Sequence, residues 1–119
     1  METAAPDLFA ALVDQPHEQL DLAWYDAAQQ LLAVDHTTSG LSDRVSVALR
    51  PIVARGLALG ASGLVLAHNH PSGCPEPSHQ DYAFTRRLAQ ILAALDICLN
   101  DHVILAKTGR FSFRAAGLL

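Results

Sequence analysis

The sequence predicts an α/β fold in which helices flank a mixed central β-sheet. Early in the chain, apolar and polar side chains alternate as they do along a β-strand. The apolar run from Gly63 to Ala67 is short and ends in turn residues, which is typical of a buried strand. From Ser78 to Leu95 the apolar residues recur at helical spacing. This order of strands and helices favours three layers, with a helix on either side of one sheet.

Two strands joined as a hairpin are expected first. The strand at residues 19–25 is expected to be half-buried, because its large apolar side chains share one face. Those side chains belong to Leu20, Leu22 and Trp24. A turn at residues 26–28 leads to a second strand at residues 31–38, so the two strands should pair.

The next segment is expected to end in a helix. Residues 41–50 are polar and ambiguous, although alternating apolar residues within them favour a third strand. These alternating residues are Val45, Val47 and Leu49. Pro51 suits the first position of a helix, where no backbone N–H is needed. Gly60 suits the position just after the end of that helix.

The second half of the chain is expected to hold a long helix and two more strands. Ser78 is a favoured N-cap, and the apolar stripe after it predicts a helix that reaches Leu95. The stripe consists of Phe84, Leu88, Ile91, Leu92 and Leu95. Residues 103–106 and residues 111–113 then follow as strands, with a turn at Thr108-Gly109 between them.

Length and composition predict one small globular domain. The chain has 119 residues, of which 50% are hydrophobic, and that is enough for a packed core. We expect residues 1–119 to form this domain, with residues 1–15 either a helix packed on it or an N-terminal tail. The net charge of −4 lacks the basic excess of a nucleic-acid-binding protein. We expect no signal peptide or membrane span, and the 2 cysteines form no disulfide framework, so we expect a cytoplasmic protein.

Two histidines separated by one residue follow the buried strand directly. Along a strand, His68 and His70 point to the same side about 6.6 Å apart, so both imidazoles can turn toward one ion. Asp81 lies in the first turn of the following helix, where exposed N–H groups and the helix dipole keep a carboxylate ionised. Two imidazoles and a carboxylate suit zinc and leave a fourth position for water. A single histidine is more often a core or surface residue, but this spacing together with Asp81 favours a metal site.

The same residues resemble a known motif. His68, His70, Ser78 and Asp81 fit the pattern H-x-H-x7-S-x2-D, the JAMM motif of the JAB/MPN metalloprotease family. Three further stretches resemble the JAB domain of RadC-like proteins. They are the run His68-Asn69-His70-Pro71-Ser72-Gly73, the pair Asp101-His102 and the closing Ser112-Phe113. The resemblance extends from Glu18 to the C-terminus, and it implies the JAB/MPN-like three-layer fold, which is also that of cytidine deaminases.

The resemblance also implies hydrolysis of a peptide or isopeptide bond in a peptide or protein substrate, with a zinc-activated water. It assigns the general base to Glu18, which stands at the entrance of the first strand, and oxyanion stabilisation to Ser78. The plain alternative for Glu18 is a surface glutamate. Cys74 borders the site, although such a cysteine is more often a loop residue than a ligand. The pair Asp101-His102 either orients a metal ligand or closes a turn before the strand.

A non-enzymatic function stays open as the alternative. The RadC name suggests a module associated with DNA repair or mobile elements, which need not catalyse a reaction. The acidic balance argues against direct DNA binding, although a local patch of Arg44, Arg50 and Arg55 leaves that interpretation open.

Overall fold

A β-sheet lies at the centre of the protein. The computed structural model describes residues 6–37 and 45–119, and within them the sheet has five strands in the order β2-β1-β3-β4-β5. These strands are β1 (Leu20–Tyr25), β2 (Leu31–Thr37), β3 (Gly63–Asn69), β4 (Cys98–Ala106) and β5 (Gly109–Ser112). Strands β3 and β4 pair in parallel, whereas the other neighbouring strands pair antiparallel. The sheet is therefore mixed, as the sequence predicts.

Helices cover both faces of this sheet. They are a 3-10 helix (Pro6–Asp14), α1 (Val45–Leu59) and α2 (His79–Ala94). Helices α1 and α2 pack on one face, in a core that includes Trp24 and Leu66. The 3-10 helix packs on the opposite face, where Phe9 contacts a smaller core around Ala23. The predicted three-layer α/β fold is confirmed, and none of the described helices is long and apolar enough to cross a membrane.

Strand β1 is buried on both of its faces, so the expectation of a half-buried strand is wrong. The reason is its position, because β1 lies between β2 and β3 and the 3-10 helix covers its second face. Even the polar Asp21 is only 3% exposed, and its carboxylate contacts His36 Nδ1 of β2 at 2.9 Å. The predicted hairpin of β1 and β2 is confirmed. Its turn is closed by the Asp26 carboxylate, which accepts hydrogen bonds from the backbone N–H groups of Ala28 and Gln30.

Helix α1 begins before Pro51, so the third strand predicted from Val45 to Leu49 is wrong, and residues 41–44 lie outside the described part of the chain. Leu49 and Ile52 lie one helical turn apart, and both are buried in the core. Helical spacing therefore buries both side chains on one face. Pro51 removes one internal hydrogen bond from the helix, and the burial of these two side chains offsets that cost.

The ends of the other elements agree with the sequence in part. Gly60 follows α1 with a φ of 64°, and Ser78 caps α2, both as predicted. Strand β4 begins at Cys98, earlier than the predicted Val103, because its first residues already pair with β3. The register between β3 and β4 then shifts at Asn100. A single bulge of this kind is difficult to predict from one sequence.

A charged contact ties α1 to the edge strand β2. Arg55 on α1 donates two hydrogen bonds to the Asp35 carboxylate, at 2.9 and 3.1 Å. The buried indole of Trp24 donates a third, at 3.0 Å. Hydrogen bonding to Arg55 lowers the pKa of the Asp35 carboxyl, and it outweighs the opposite effect of burial. Arg55 is thus engaged within the fold, and Arg44 of the suggested basic patch lies outside the described residues.

We expect Asp35→Asn to lower the free energy of unfolding at pH 7 but not near pH 2. A carboxyl whose pKa is lowered on folding stabilises the fold above its unfolded pKa of about 3.9 and loses that contribution as the pH falls. Urea unfolding of both proteins across this pH range measures the difference. Asp14→Asn removes an exposed carboxylate as the control and should lower the free energy of unfolding at pH 7 much less than Asp35→Asn does. A constant deficit for Asp35→Asn at all pH values would contradict the expected linkage.

Candidate metal centre

The end of β3 places two histidines beside α2. His68 is fully buried on the face of the sheet that also carries Leu64 and Leu66, the face covered by the two α-helices. His70 follows the last residue of the strand, and its backbone N–H donates to the Leu105 carbonyl of β4 at 2.9 Å. The Nε2 atoms of the two histidines lie 3.0 Å apart. The two rings therefore converge on one point.

The first turn of α2 brings a carboxylate to the same point. Ser78 Oγ accepts a hydrogen bond from the Asp81 N–H, and Asp81 Oδ2 accepts one from the Ser78 N–H, so a capping box fixes the Asp81 side chain. Asp81 Oδ1 lies 3.4 Å from His68 Nε2, and Oδ2 lies 3.3 Å from His70 Nε2. Burial raises the pKa of the Asp81 carboxyl, but the adjacent His68 ring and the hydrogen bond from the Ser78 N–H hold it well below its usual range. Asp81 is therefore ionised at neutral pH.

A chain of hydrogen bonds fixes the protonation of His68. The Thr85 hydroxyl donates its single proton to the Asp81 backbone carbonyl at 2.7 Å, so it can only accept from His102 Nδ1 at 2.6 Å. His102 is completely buried. Burial is the larger cause and the neighbouring His68 the smaller one, and together they hold the pKa of the His102 imidazole well below its usual range. A neutral His102 with a proton on Nδ1 must accept at Nε2, which lies 2.8 Å from His68 Nδ1. His68 thus carries a proton on Nδ1, and in the neutral imidazole its Nε2 keeps a lone pair.

The same reasoning applies to His70 through a different partner. His70 Nδ1 lies 2.9 Å from the backbone carbonyl oxygen of Cys74. A carbonyl oxygen can only accept, so this nitrogen carries the proton and donates it. In the neutral imidazole, His70 Nε2 then keeps a lone pair as well. The carbonyl of Cys74, rather than its thiol, is therefore the atom that orients this histidine, and the Cys74 side chain is exposed.

The distance between the two Nε2 atoms bears on whether a metal ion fits between the histidines. At 3.0 Å, the Nε2 lone pairs of two neutral imidazoles, His68 and His70, repel each other unless a proton or a metal ion lies between them. The ionised Asp81 carboxylate beside them supplies the negative charge that such a cation requires. Neutral imidazole nitrogens and a carboxylate oxygen are the donors that zinc takes in hydrolytic sites. The donor set of these residues fits a zinc ion.

Glu18 reaches the two histidines from the segment before β1, whereas Asp81 reaches them from α2. Leu20 of β1 lies opposite His68 of β3, and the antiparallel register continued by two residues places Glu18 opposite His70. One Glu18 carboxylate oxygen and one ring nitrogen from each of these two histidines lie within 4.8 Å of one another. The Glu18 side chain is half-buried. Among the described residues, these three form a cluster that could hold a metal ion.

The remaining residues named from the sequence, Ser78 and the pair Asp101-His102, make different contacts. Ser78 is exposed at the edge of the site, where its capping bond uses a lone pair of the hydroxyl and not its proton. Of the pair Asp101-His102, His102 contacts a histidine of the site, His68. The buried Asp101 carboxylate instead accepts hydrogen bonds from the Ser112 hydroxyl and the Arg114 N–H, which hold the C-terminal turn.

Two contributors to the site were not identified from the sequence. Thr85 connects His102 to α2, and Asn69 holds the segment that carries Glu18 through hydrogen bonds to three of its residues. Thr85 follows Asp81 by four residues, so helical spacing alone could have placed both on the same face. The sequence indicates Asn69 less clearly. In the run His68-Asn69-His70 the side chain of the middle residue points to the opposite face of the sheet, away from the site.

Comparisons with known proteins identify the family. A family model of the RadC-like JAB domain matches residues 2–118. A UPF0758 protein of Rhodobacter capsulatus is 41% identical over 109 residues, which make up 92% of this chain and 51% of that protein. A UPF0758 protein of Bordetella avium is 44% identical over 109 residues, 92% of this chain and 48% of the relative.

A third relative, a UPF0758 protein of Thioalkalivibrio sulfidiphilus, is 43% identical over 112 residues, 94% of this chain and 50% of the relative. The chain thus spans about half the length of the curated relatives that it matches. The names of these relatives state no activity. The resemblance seen in the sequence is confirmed, and the chain belongs to the RadC-like JAB domain family.

Proposed function

We propose that this domain is a zinc-dependent hydrolase that cleaves a peptide or isopeptide bond. The main support is the pair of Nε2 lone pairs on His68 and His70, which face each other at 3.0 Å beside the ionised Asp81. An arrangement of this kind disfavours the empty site and favours a divalent ion. Membership of the JAB family agrees with this chemistry, because the JAB/MPN resemblance implies a metalloprotease.

His68, His70 and Asp81 would hold the zinc ion. When bound there, zinc supplies a Lewis acid that lowers the pKa of water toward about 7 and polarises a carbonyl group. The protein prepares these ligands in advance. His102 and the Cys74 carbonyl hold the two imidazoles in the required tautomer, and the Ser78 N–H holds the Asp81 carboxylate.

Glu18 is assigned the role of general base. Its carboxylate lies close to both histidines but comes from the segment before β1, whereas Asp81 comes from α2. A carboxylate in this position can accept a proton from the attacking water and deliver it to the leaving nitrogen. As the JAB/MPN resemblance implies, we place Glu18 beside the three ligands rather than among them.

Ser78 is assigned the stabilisation of the developing oxyanion. Its Oγ accepts the Asp81 N–H at 3.1 Å, so the direction of the hydroxyl is limited by the capping box. The hydroxyl proton does not take part in that bond and can be donated to the carbonyl oxygen of a substrate. Because Ser78 is exposed, a substrate can reach it from solvent.

The first expectation concerns the metal. Wild-type protein should bind about one zinc ion per chain, and His68→Ala, His70→Ala and Asp81→Ala should each bind much less, since each removes one ligand. Elemental analysis after dialysis against zinc-free buffer measures the content. His36→Ala removes an exposed histidine of β2 and should retain the wild-type content. Full zinc occupancy in all three ligand variants would contradict the assignment.

The hydrogen-bond chain behind His68 gives a second expectation. Thr85→Val keeps the shape of the side chain but removes the acceptor for His102 Nδ1, so the tautomer of His68 is no longer enforced. Loss of such a contact behind a metal ligand should weaken zinc binding about 10–100-fold. Competition with a chelator measures the affinity. Thr85→Ser keeps the hydroxyl and should bind zinc as wild type does, and equal affinity for the valine variant would show that the chain does not control the ligand.

A third expectation concerns Glu18. Glu18→Gln keeps the size of the side chain but removes the proton acceptor, so cleavage should fall about 10²–10⁴-fold while the zinc content stays constant. Two probes are suitable, a quenched fluorescent peptide library and a branched peptide with Gly-Gly on a lysine Nζ. Glu76→Gln, which changes an exposed loop glutamate near the site, is the matched control and should cleave at the wild-type rate.

The outcomes of this experiment separate the assignments. Loss of zinc in Glu18→Gln would make Glu18 a ligand instead of the base. Undiminished cleavage would place the base elsewhere. Zinc-loaded wild type that cleaves neither probe would argue against the hydrolase and favour the non-enzymatic RadC-like module.

A further inference from the structure

Asn69 lies between the two histidines of the site but points the opposite way. Successive side chains of a strand alternate between the faces of the sheet, so His68 faces α2 while Asn69 faces the side of the 3-10 helix. Asn69 is only 1% exposed. A buried amide requires hydrogen-bond partners.

Among the described residues, the hydrogen-bond partners of the Asn69 amide all lie in one short segment, residues 15–19. Asn69 Oδ1 accepts from the Gln19 N–H at 2.6 Å, while Nδ2 donates to the His17 carbonyl at 3.0 Å and to the Gln15 carbonyl at 3.2 Å. This segment follows the 3-10 helix and precedes β1, so it belongs to no regular element. The side chain of Asn69 therefore supplies hydrogen bonds that a helix or strand would otherwise provide.

The position of these bonds within the segment is informative. The carbonyl of His17 belongs to the peptide group before the Glu18 Cα, and the N–H of Gln19 belongs to the peptide group after it. Asn69 holds both, so it restrains the two peptide planes between which the Glu18 side chain emerges. The Glu18 carboxylate in turn lies within 4.8 Å of ring nitrogens of His68 and His70, the chain neighbours of Asn69.

The chemistry of this position explains why an amide stands there. The three bonds require one acceptor and two donors within a single planar group of short reach. An aspartate would offer acceptors only, and it would repel the carbonyl oxygens of His17 and Gln15. A serine or threonine hydroxyl has a single proton and cannot serve both carbonyls.

We propose that Asn69 is a positioning residue that sets Glu18 against the two histidines of the metal centre. This inference rests on the function proposed above only in the role it gives to Glu18. Because Asn69 is part of the same strand end as His68 and His70, it would fix the backbone of Glu18 relative to these two histidines. A displacement of about 1 Å in a catalytic group can cost about 10²-fold in rate, so a restraint of this kind affects catalysis.

The direct test is the proximity of Glu18 to the histidine rings, measured by NMR in the metal-free and the zinc-loaded protein. Wild type should show a nuclear Overhauser contact between the Glu18 γ protons and the ring protons of His68 or His70. Asn69→Ala should lose this contact while the contacts within the core remain. Asp26→Ala is the matched control, because it removes a side chain that also bonds two backbone N–H groups, but in the β1–β2 turn. It should retain the contact.

Asn69→Asp provides a second variant if the alanine protein does not fold. It keeps the size of the side chain and the acceptor for the Gln19 N–H but loses both donors, so the contact should weaken. A wild-type contact that persists in the folded Asn69 variants would overturn the proposal, even if zinc binding and cleavage are as proposed. Absence of the contact in wild type would overturn it as well.

Cleavage of the fluorescent peptide library adds a functional measurement that stability alone would not change. In zinc-loaded protein, Asn69→Ala should lower kcat about 10²-fold at unchanged zinc content. In the Glu18→Gln background the same substitution should cause little further loss, because Asn69 acts through Glu18. Independent, multiplicative losses would show that Asn69 does not act through Glu18. If wild type is inactive, the proposed hydrolase fails, while the NMR contact still decides the role of Asn69.

Discussion

The hydrogen bond that Thr85 donates to the Asp81 carbonyl determines that His102 and His68 each carry a proton on Nδ1. Since this hydroxyl has one proton, His102 must donate to it, and His68 must donate to His102. The lone pair that remains on His68 Nε2 meets the corresponding lone pair of His70 beside an ionised carboxylate. Phe113 stacks on the His102 ring, with centroids 4.8 Å apart, and keeps this relay dry and fixed in orientation. A cation is what relieves the resulting repulsion.

The fold brings these groups together through two features of the sheet. The parallel pairing of β3 and β4 places His102 on the same face as His68, beneath α2, whose first turns supply Asp81 and Thr85. The antiparallel pairing of β1 and β3 brings the segment before β1 to the end of β3, and Glu18 with it. Side chains alternate between the two faces of the sheet along β3, so three consecutive residues have different roles. His68 and His70 face the candidate metal centre, and Asn69 holds the backbone around Glu18 on the opposite face of the sheet.

The sequence predicts the elements that have a strong local signal. The capping box at Ser78 and Asp81, the hairpin and the left-handed Gly60 each depend on residues close together in the chain, and all three are found. The expectations were wrong where packing against residues distant in the chain decides the structure. Alternation at Val45 to Leu49 favoured a strand, but the core required Leu49 and Ile52 on one helical face. In the site, spacing brings together the motif residues, whereas the relay through His102 depends on the register of β4, which no local pattern specifies.

The central claim is that hydrogen bonds fix both histidines as Nε2 ligands, and long-range ¹⁵N NMR of the histidine rings tests it most directly. In zinc-loaded protein at neutral pH, His68, His70 and His102 should each carry one proton on Nδ1. The Nε2 resonances of His68 and His70 should shift on metal binding, whereas that of His102 should report an unprotonated acceptor. A proton on Nε2 of either His68 or His70, or a metal-shifted Nδ1 resonance, would contradict the account.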